Sequence, residues 1–217
     1  MTTRLSGTPF AALVKNTDPA SSAVVVIDVQ NDFCARGGYY DRTGADLSSI
    51  DTTLDRLIRL IDSARDAGAM VAYVRSQYDP IHLSPTQNER RRRVGWDIPL
   101  CRQDSWGIGF YRVEPLPGEP VITKHRYDAF YGTSLELILN SNGRRNLLFT
   151  GVATNVCVET SLRSAFIRDF EVVLLEDCAA ARSRRAHEAT LDTVRQHFGI
   201  VASADDVERA WEASKPG

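Results

Sequence analysis

Ala23-Val-Val-Val-Ile27 is an unbroken apolar run in which four of five residues are β-branched, and it limits the possible folds more than any other stretch. A strand that is apolar at consecutive positions is buried on both faces, which places it in a parallel sheet covered by helices. Further strand-like runs recur at Ala69–Val74, Pro120–Thr123, Leu147–Phe149, Glu171–Leu175 and Gly199–Ala202. Between them apolar residues repeat at helical spacing. Ile50, Leu54, Leu57, Ile58, Ile61 and Ala64 form one such face, closed by Gly68. Leu135, Ile138 and Leu139 form a second, ending at Asn142-Gly143. Later faces run through Val158, Leu162, Ala165 and Phe166, through Ala186, Thr190, Leu191 and Val194, and through Asp205 to Trp211. Alternation of strand and helix predicts right-handed crossovers and a mainly parallel sheet with helices on both sides.

The 217 residues suffice for one domain with a large core. Residues 1–22 hold few apolar side chains and two prolines, and read as an irregular arm, suited to lie on a neighbouring subunit. Residues 23–217 read as a single domain. The formal net charge of -2 gives no general attraction to nucleic acid or to a membrane surface. The four cysteines, Cys34, Cys101, Cys157 and Cys178, are widely spaced and form no C-x-x-C pair, which fits a reducing cytoplasm. The first residues lack the basic and apolar segments of a signal peptide, and no apolar run approaches a bilayer span. Val29–Gly38 reads as a loop. Arg75–Gly118 shows no periodicity and contains the run Glu89-Arg-Arg-Arg-Arg93, so it is expected to be a long functional loop, a lid or an interface. No aromatic residue interleaves with those arginines, and they read first as a solvated or contact face.

Cys157 follows a strand by one turn. Thr154 and Asn155 are candidate caps for the helix that begins there. Alone, a cysteine so placed reads as a buried small hydrophobe. Near unpaired helix N–H groups it is instead a stabilised thiolate, the nucleophilic form. Asp28 and Lys124 also end apolar strands directly. In open parallel sheets the ligand lies beyond the carboxyl ends of the strands, so a carboxylate, an ammonium and a thiol are expected to converge there. A lysine lowers a thiol's pKa, a carboxylate shuttles its proton, and backbone N–H groups hold an oxyanion. That set suits amide hydrolysis through a thioester.

Val26-Ile-Asp-Val-Gln-Asn-Asp-Phe33, Ile122-Thr-Lys-His-Arg-Tyr127 and Gly151-Val-Ala-Thr-Asn-Val-Cys-Val-Glu-Thr160 resemble the three signature segments of the isochorismatase-like cysteine hydrolases. The resemblance extends from Ala23 nearly to the C-terminus. It implies a three-layer α/β/α sandwich on a six-stranded, mainly parallel, Rossmann-like sheet. It implies an Asp28, Lys124, Cys157 triad with Cys157 as nucleophile, Asp28 as general base and acid, and Lys124 lowering the thiol pKa. It further implies a cis peptide at Val152–Ala153 and an oxyanion hole from the Ala153 and Cys157 N–H groups. The retained cysteine argues against vinyl-ether cleavage, the isochorismatase reaction itself. Arg75-Ser-Gln-Tyr-Asp-Pro-Ile-His-Leu83 departs from the metal-binding segment of nicotinamidases, so no metal or other cofactor is expected.

Gly37-Gly-Tyr-Tyr40, Arg126-Tyr127 and the cysteine segment are most similar to the branch acting on ureido and carbamoyl compounds. That branch includes ureidoacrylate amidohydrolases, biuret hydrolases and N-carbamoylsarcosine amidohydrolases. The expected activity is hydrolysis of a linear C–N bond in a small ureido or carbamoyl compound, releasing ammonia or an amine. Another amidase of the family and a non-catalytic, redox-responsive binding protein are the alternatives. Phe33, Trp106, Tyr127, Phe130 and Tyr131 are candidate pocket walls. Asn155 is a candidate for orienting the substrate. Arg75, or an arginine of the 90–93 run, is a candidate for holding a substrate carboxylate. Expected partners are a small-molecule substrate and further copies of the chain, as a dimer or tetramer, with no nucleic acid and no membrane.

Overall fold

The structure is a computed structural model that describes residues 10–214. Six strands form one sheet: β1 (Ser22–Ile27), β2 (Met70–Ser76), β3 (Val121–Lys124), β4 (Asn146–Val152), β5 (Glu171–Ala180) and β6 (Ile200–Ala202). Their order is β3-β2-β1-β4-β5-β6, and every pairing is parallel. The helices are α1 (Phe10–Asn16), α2 (Asn31–Cys34), α3 (Tyr39–Arg42), α4 (Ile50–Ala67), α5 (Pro85–Arg93), α6 (Leu135–Ser141), α7 (Glu159–Ile167), α8 (Arg184–His197) and α9 (Ala204–Ala213).

β1 shows why its sequence is apolar throughout. Val24 and Val26 face one core layer, with Leu54, Leu57 and Leu60 of α4 and Trp211 of α9. Ala23, Val25 and Ile27 face the other, with Leu135 and Leu139 of α6, Leu162 of α7 and Val194 of α8. Successive residues of a strand point to opposite faces, so a sheet covered on both sides needs apolar residues at every position. Full burial of one such Leu or Val side chain is worth about 1.5–3 kcal/mol. The three-layer sandwich is as expected.

Four local expectations are corrected. The segment before β1 is not irregular where it is described: Phe10–Asn16 is helical and Leu13 is buried. It packs on the chain's own α9, where Trp211 Nε1 donates to the Thr17 carbonyl at 2.6 Å. Residues 1–9 lie outside the described residues. The Val29–Gly38 loop contains the helical turn α2. β5 continues past Glu176-Asp177 to Ala180, because a register irregularity opposite Phe149 and Gly151 lets the pairing resume. The long aperiodic segment holds α5, which buries no residue and therefore has no apolar periodicity to read. Its signal was at its start, where Ser84 and Gln87 form a capping box around Pro85.

The chain leaves β1 toward β2 and β3, then returns to the other side of β1 with β4. Strand order thus reverses between β1 and β4, which opens a crevice at their carboxyl ends. Asp28 follows β1 and Cys157 follows β4.

Candidate active site

Each strand end at the crevice delivers one polar group. Asp28 takes a left-handed backbone conformation, φ 53°, which aspartate tolerates better than bulkier residues. Its N–H donates to the Val74 carbonyl at 2.8 Å, so the turn is tied to β2. Lys124 is the last residue of β3 and lies beside Ser76, the last residue of β2. Asp28 and Lys124 are 0% exposed and Cys157 is 6% exposed. The Lys124 ammonium stands 2.8 Å from Asp28 Oδ2.

Ser76 joins these two groups. Lys124 Nζ donates to Ser76 Oγ at 2.8 Å, and Ser76 Oγ donates to Asp28 Oδ1 at 3.0 Å. The Tyr78 hydroxyl lies 3.2 Å from the same oxygen; the serine's single proton goes to the carboxylate, so the phenol is the donor in that pair. Gln30 fixes the serine from both sides of its backbone. Its Oε1 accepts from the Ser76 N–H at 2.7 Å and its Nε2 donates to the Ser76 carbonyl at 3.0 Å. Lys124 also donates to the Arg126 carbonyl at 3.1 Å. Asp28 Oδ2 sits close to the ammonium but accepts no aligned hydrogen bond, which leaves a lone pair for another proton.

Cys157 lies in a single π-helical turn, Thr154–Val158, between β4 and α7. Such turns recur at functional sites. The expected caps do not operate, since Ala153 is the N-cap and no side chain bonds there. Thr154 is instead buried, with Oγ1 2.9 Å from His187 Nδ1 of α8. The Val152–Ala153 peptide is cis, as expected. Gly151 before it has φ 102° and lies so near the Ile27 carbonyl that a Cβ would collide with it.

Asp28 and Lys124 both act on the Cys157 thiol, and the net electrostatics differ from the expectation. Burial pushes the Cys157 pKa up; Lys124 pulls it down, and Asp28 pushes it up again. The net direction is upward, which favours the neutral thiol in the free site. Burial works against the Lys124 charge, but Asp28 and the other groups facing it outweigh burial and hold its pKa well above the usual value.

A cavity of about 400 Å³ opens over Cys157. Of the wall candidates, Phe33 and Tyr127 line it, and so does Asn155, the candidate for orienting the substrate. The others are elsewhere. Phe130 is buried in the core against Phe170, with ring centroids 5.9 Å apart. Tyr131 is 65% exposed and Trp106 is 59% exposed, the latter beside a separate depression near Asp32 and Arg102. Arg75 lies along β2, donating to Thr123 Oγ1 at 3.1 Å. His82 stacks on His125 at 3.7 Å between ring centroids.

Sequence reasoning missed Ser76 and Gln30, the cavity residues Tyr39, Tyr40 and Trp96, and Arg182. Arg90 and Arg91 of the arginine run line the cavity, so part of that run faces the site.

The fold and the site define a class: a parallel α/β sandwich with a buried carboxylate, ammonium and thiol at the topological switch point. The Isochorismatase domain family matches residues 22–206, and the chain belongs to that family. It is 34% identical over 202 residues to the ureidoacrylate amidohydrolase RutB of Agrobacterium fabrum, covering 87% of this chain and 89% of that protein. It is 35% identical over 207 residues to the ureidoacrylate amidohydrolase RutB of Methylobacterium radiotolerans, covering 89% and 80%. The crystal structure of a cysteine hydrolase from Pseudomonas syringae pv. phaseolicola has the same fold, with a TM-score of 0.79 at 23% identity over 91% of this chain and 95% of that one.

Proposed function

We propose that the protein is a cysteine amidohydrolase that cleaves a linear C–N bond of a ureido or carbamoyl compound through a thioester, with release of ammonia. The observation that carries this reading is the meeting of Asp28 and Lys124 around the Ser76 hydroxyl at one rim of the sheet, both of them acting on the Cys157 thiol although the three are distant in sequence. The ureidoacrylate amidohydrolases among its relatives support the ureido class.

The neutral thiol sets the order of events. As Cys157 Sγ attacks the carbamoyl carbon, its proton passes to Asp28, so the thiolate forms only while the S–C bond forms. The Lys124 ammonium stabilises the negative charge wherever it lies between carboxylate and sulfur. The oxygen that becomes an oxyanion points to the Ala153 and Cys157 backbone N–H groups. Asp28 then returns the proton to the departing nitrogen, and ammonia leaves. Water attacks the S-acyl carbon while Asp28 takes one of its protons; the C–S bond then breaks, Asp28 passes that proton to sulfur to restore the thiol, and the carbamic acid leaves.

Ammonia release from ureidoacrylate, carbamoyl amino acids, biuret, nicotinamide and simple amides tests the reading. Wild type should turn over at least one ureido or carbamoyl compound. Cys157→Ala and Cys157→Ser should lose about a thousandfold or more while keeping the wild-type melting profile. Near-normal turnover by either variant removes the mechanism.

A further inference from the structure

The cavity over Cys157 is built for more than a small, fully polar ureide. Its volume of about 400 Å³ lies within the range of roughly 300–1,000 Å³ that takes drug-sized ligands. Its wall is aromatic and aliphatic: Phe33, Leu83, Leu100 and Val156 contribute side chains with no polar atom. Two of the four lining tyrosines, Tyr39 and Tyr78, have their hydroxyls engaged within the protein. The Tyr39 hydroxyl donates to the Trp96 carbonyl at 2.9 Å, and the Tyr78 hydroxyl is engaged with Ser76. What these residues offer a ligand is ring surface. A polar ureide lying against Phe33, Leu83, Leu100 and Val156 would lose water there without gaining partners, which is unfavourable.

Charge at the cavity has one sign. Arg90, Arg91 and Arg182 line it, and among the described residues none of the three pairs with a carboxylate. Two of them are held in place. Arg182 donates to the Thr43 carbonyl at 2.8 Å and lies over Trp96 at 4.5 Å and Tyr40 at 4.9 Å. Arg91 donates to the Ile98 carbonyl. Arg90 has no hydrogen-bond acceptor among the described residues; its guanidinium rests 5.2 Å from the Trp96 ring centre. A cation with free donors, placed beside an aromatic ring, fits a carboxylate carried on a flat apolar body.

We infer that the substrate is a carbamoyl or ureido compound bearing both a bulky, flat apolar group and a carboxylate, with Arg90 as the anion anchor and Trp96 among the walls. This rests on the amidohydrolase reading of the same site.

Four probes separate the parts: N-carbamoylphenylalanine of each hand, N-carbamoylglycine, which lacks the ring, and 2-phenylethylurea, which lacks the carboxylate. Ammonia release gives kcat/KM for each. Burial of one methylene is worth about a fourfold change, so the better hand of the phenylalanine compound should exceed the glycine compound by at least about tenfold. Arg90→Gln should raise KM for the phenylalanine compound and reduce its preference over 2-phenylethylurea about tenfold or more, as loss of a charged hydrogen bond does. Arg90→Lys should recover part of that preference. Equal or better turnover of the glycine compound, or equal losses on both ring compounds in Arg90→Gln, overturns the inference. Hydrolysis of ureidoacrylate or biuret with none of the four overturns it and leaves the amidohydrolase reading intact. No hydrolysis of any compound, with Cys157 unmodified by mass, ends both.

Discussion

Removing the Lys124 ammonium should destabilise the protein as well as impair catalysis, and the size of that effect follows from the site. Lys124 and Asp28 are both 0% exposed and 2.8 Å apart. Lys124→Met leaves a buried carboxylate with only Ser76 as partner, and it removes the donor to the Arg126 carbonyl. Breaking a buried pair from one side costs about 3–5 kcal/mol. For a domain of this size about 1 kcal/mol corresponds to roughly 2–4 °C, so Tm should fall by about 6–20 °C. Lys124→Met with Asp28→Asn removes both charges and should recover at least half of that loss, since no unpaired charge stays buried. The Lys124 pKa is raised in the folded protein. Its contribution is therefore complete below the unfolded value of about 10.4 and is lost only as pH rises through the folded value. The difference between wild type and Lys124→Met should thus be flat from pH 6 to 9. Calorimetry of wild type, Lys124→Met, Asp28→Asn and the double variant checks this. A single variant within about 1 kcal/mol of wild type, or a double variant as unstable as the sum of the singles, refutes the reasoning.

Other expectations concern the groups around the thiol. Ser76→Ala removes the hydroxyl between Lys124 and Asp28, and should lower kcat about 10–100-fold with little change in KM; an unchanged kcat would show that the ion pair needs no bridge. The raised Cys157 pKa means that the thiolate fraction of the free enzyme keeps growing with pH. Iodoacetamide labelling of Cys157 should therefore be slow at pH 7 and rise about tenfold per pH unit to pH 9; a plateau below pH 8 contradicts the neutral-thiol assignment.

The strands were legible because each is a short apolar run, and the position of Asp28, Lys124 and Cys157 at strand ends could be read from those runs alone. What escaped had physical reasons. Ser76 is a small polar residue between Arg75 and Gln77, and nothing local marks it as the bridge between two other strands. α5 is polar on every side, so its arginines carried no hint of which would face the cavity. Arg182 and Trp96 meet across a separation that only the fold closes. Lys124 does pull the thiol pKa down, as the family motif implies, but the opposing push from burial and from Asp28 is not visible in the motif.

The most direct test of a nucleophilic Cys157 is intact-protein and peptide mass spectrometry on enzyme quenched with acid during turnover of a ureido substrate. The account predicts an added carbamoyl-type mass confined to the peptide carrying Cys157, absent in Cys157→Ala and lost as substrate is exhausted. Full turnover with no adduct on that peptide under rapid quench, or an adduct at Cys34, Cys101 or Cys178 instead, would contradict it.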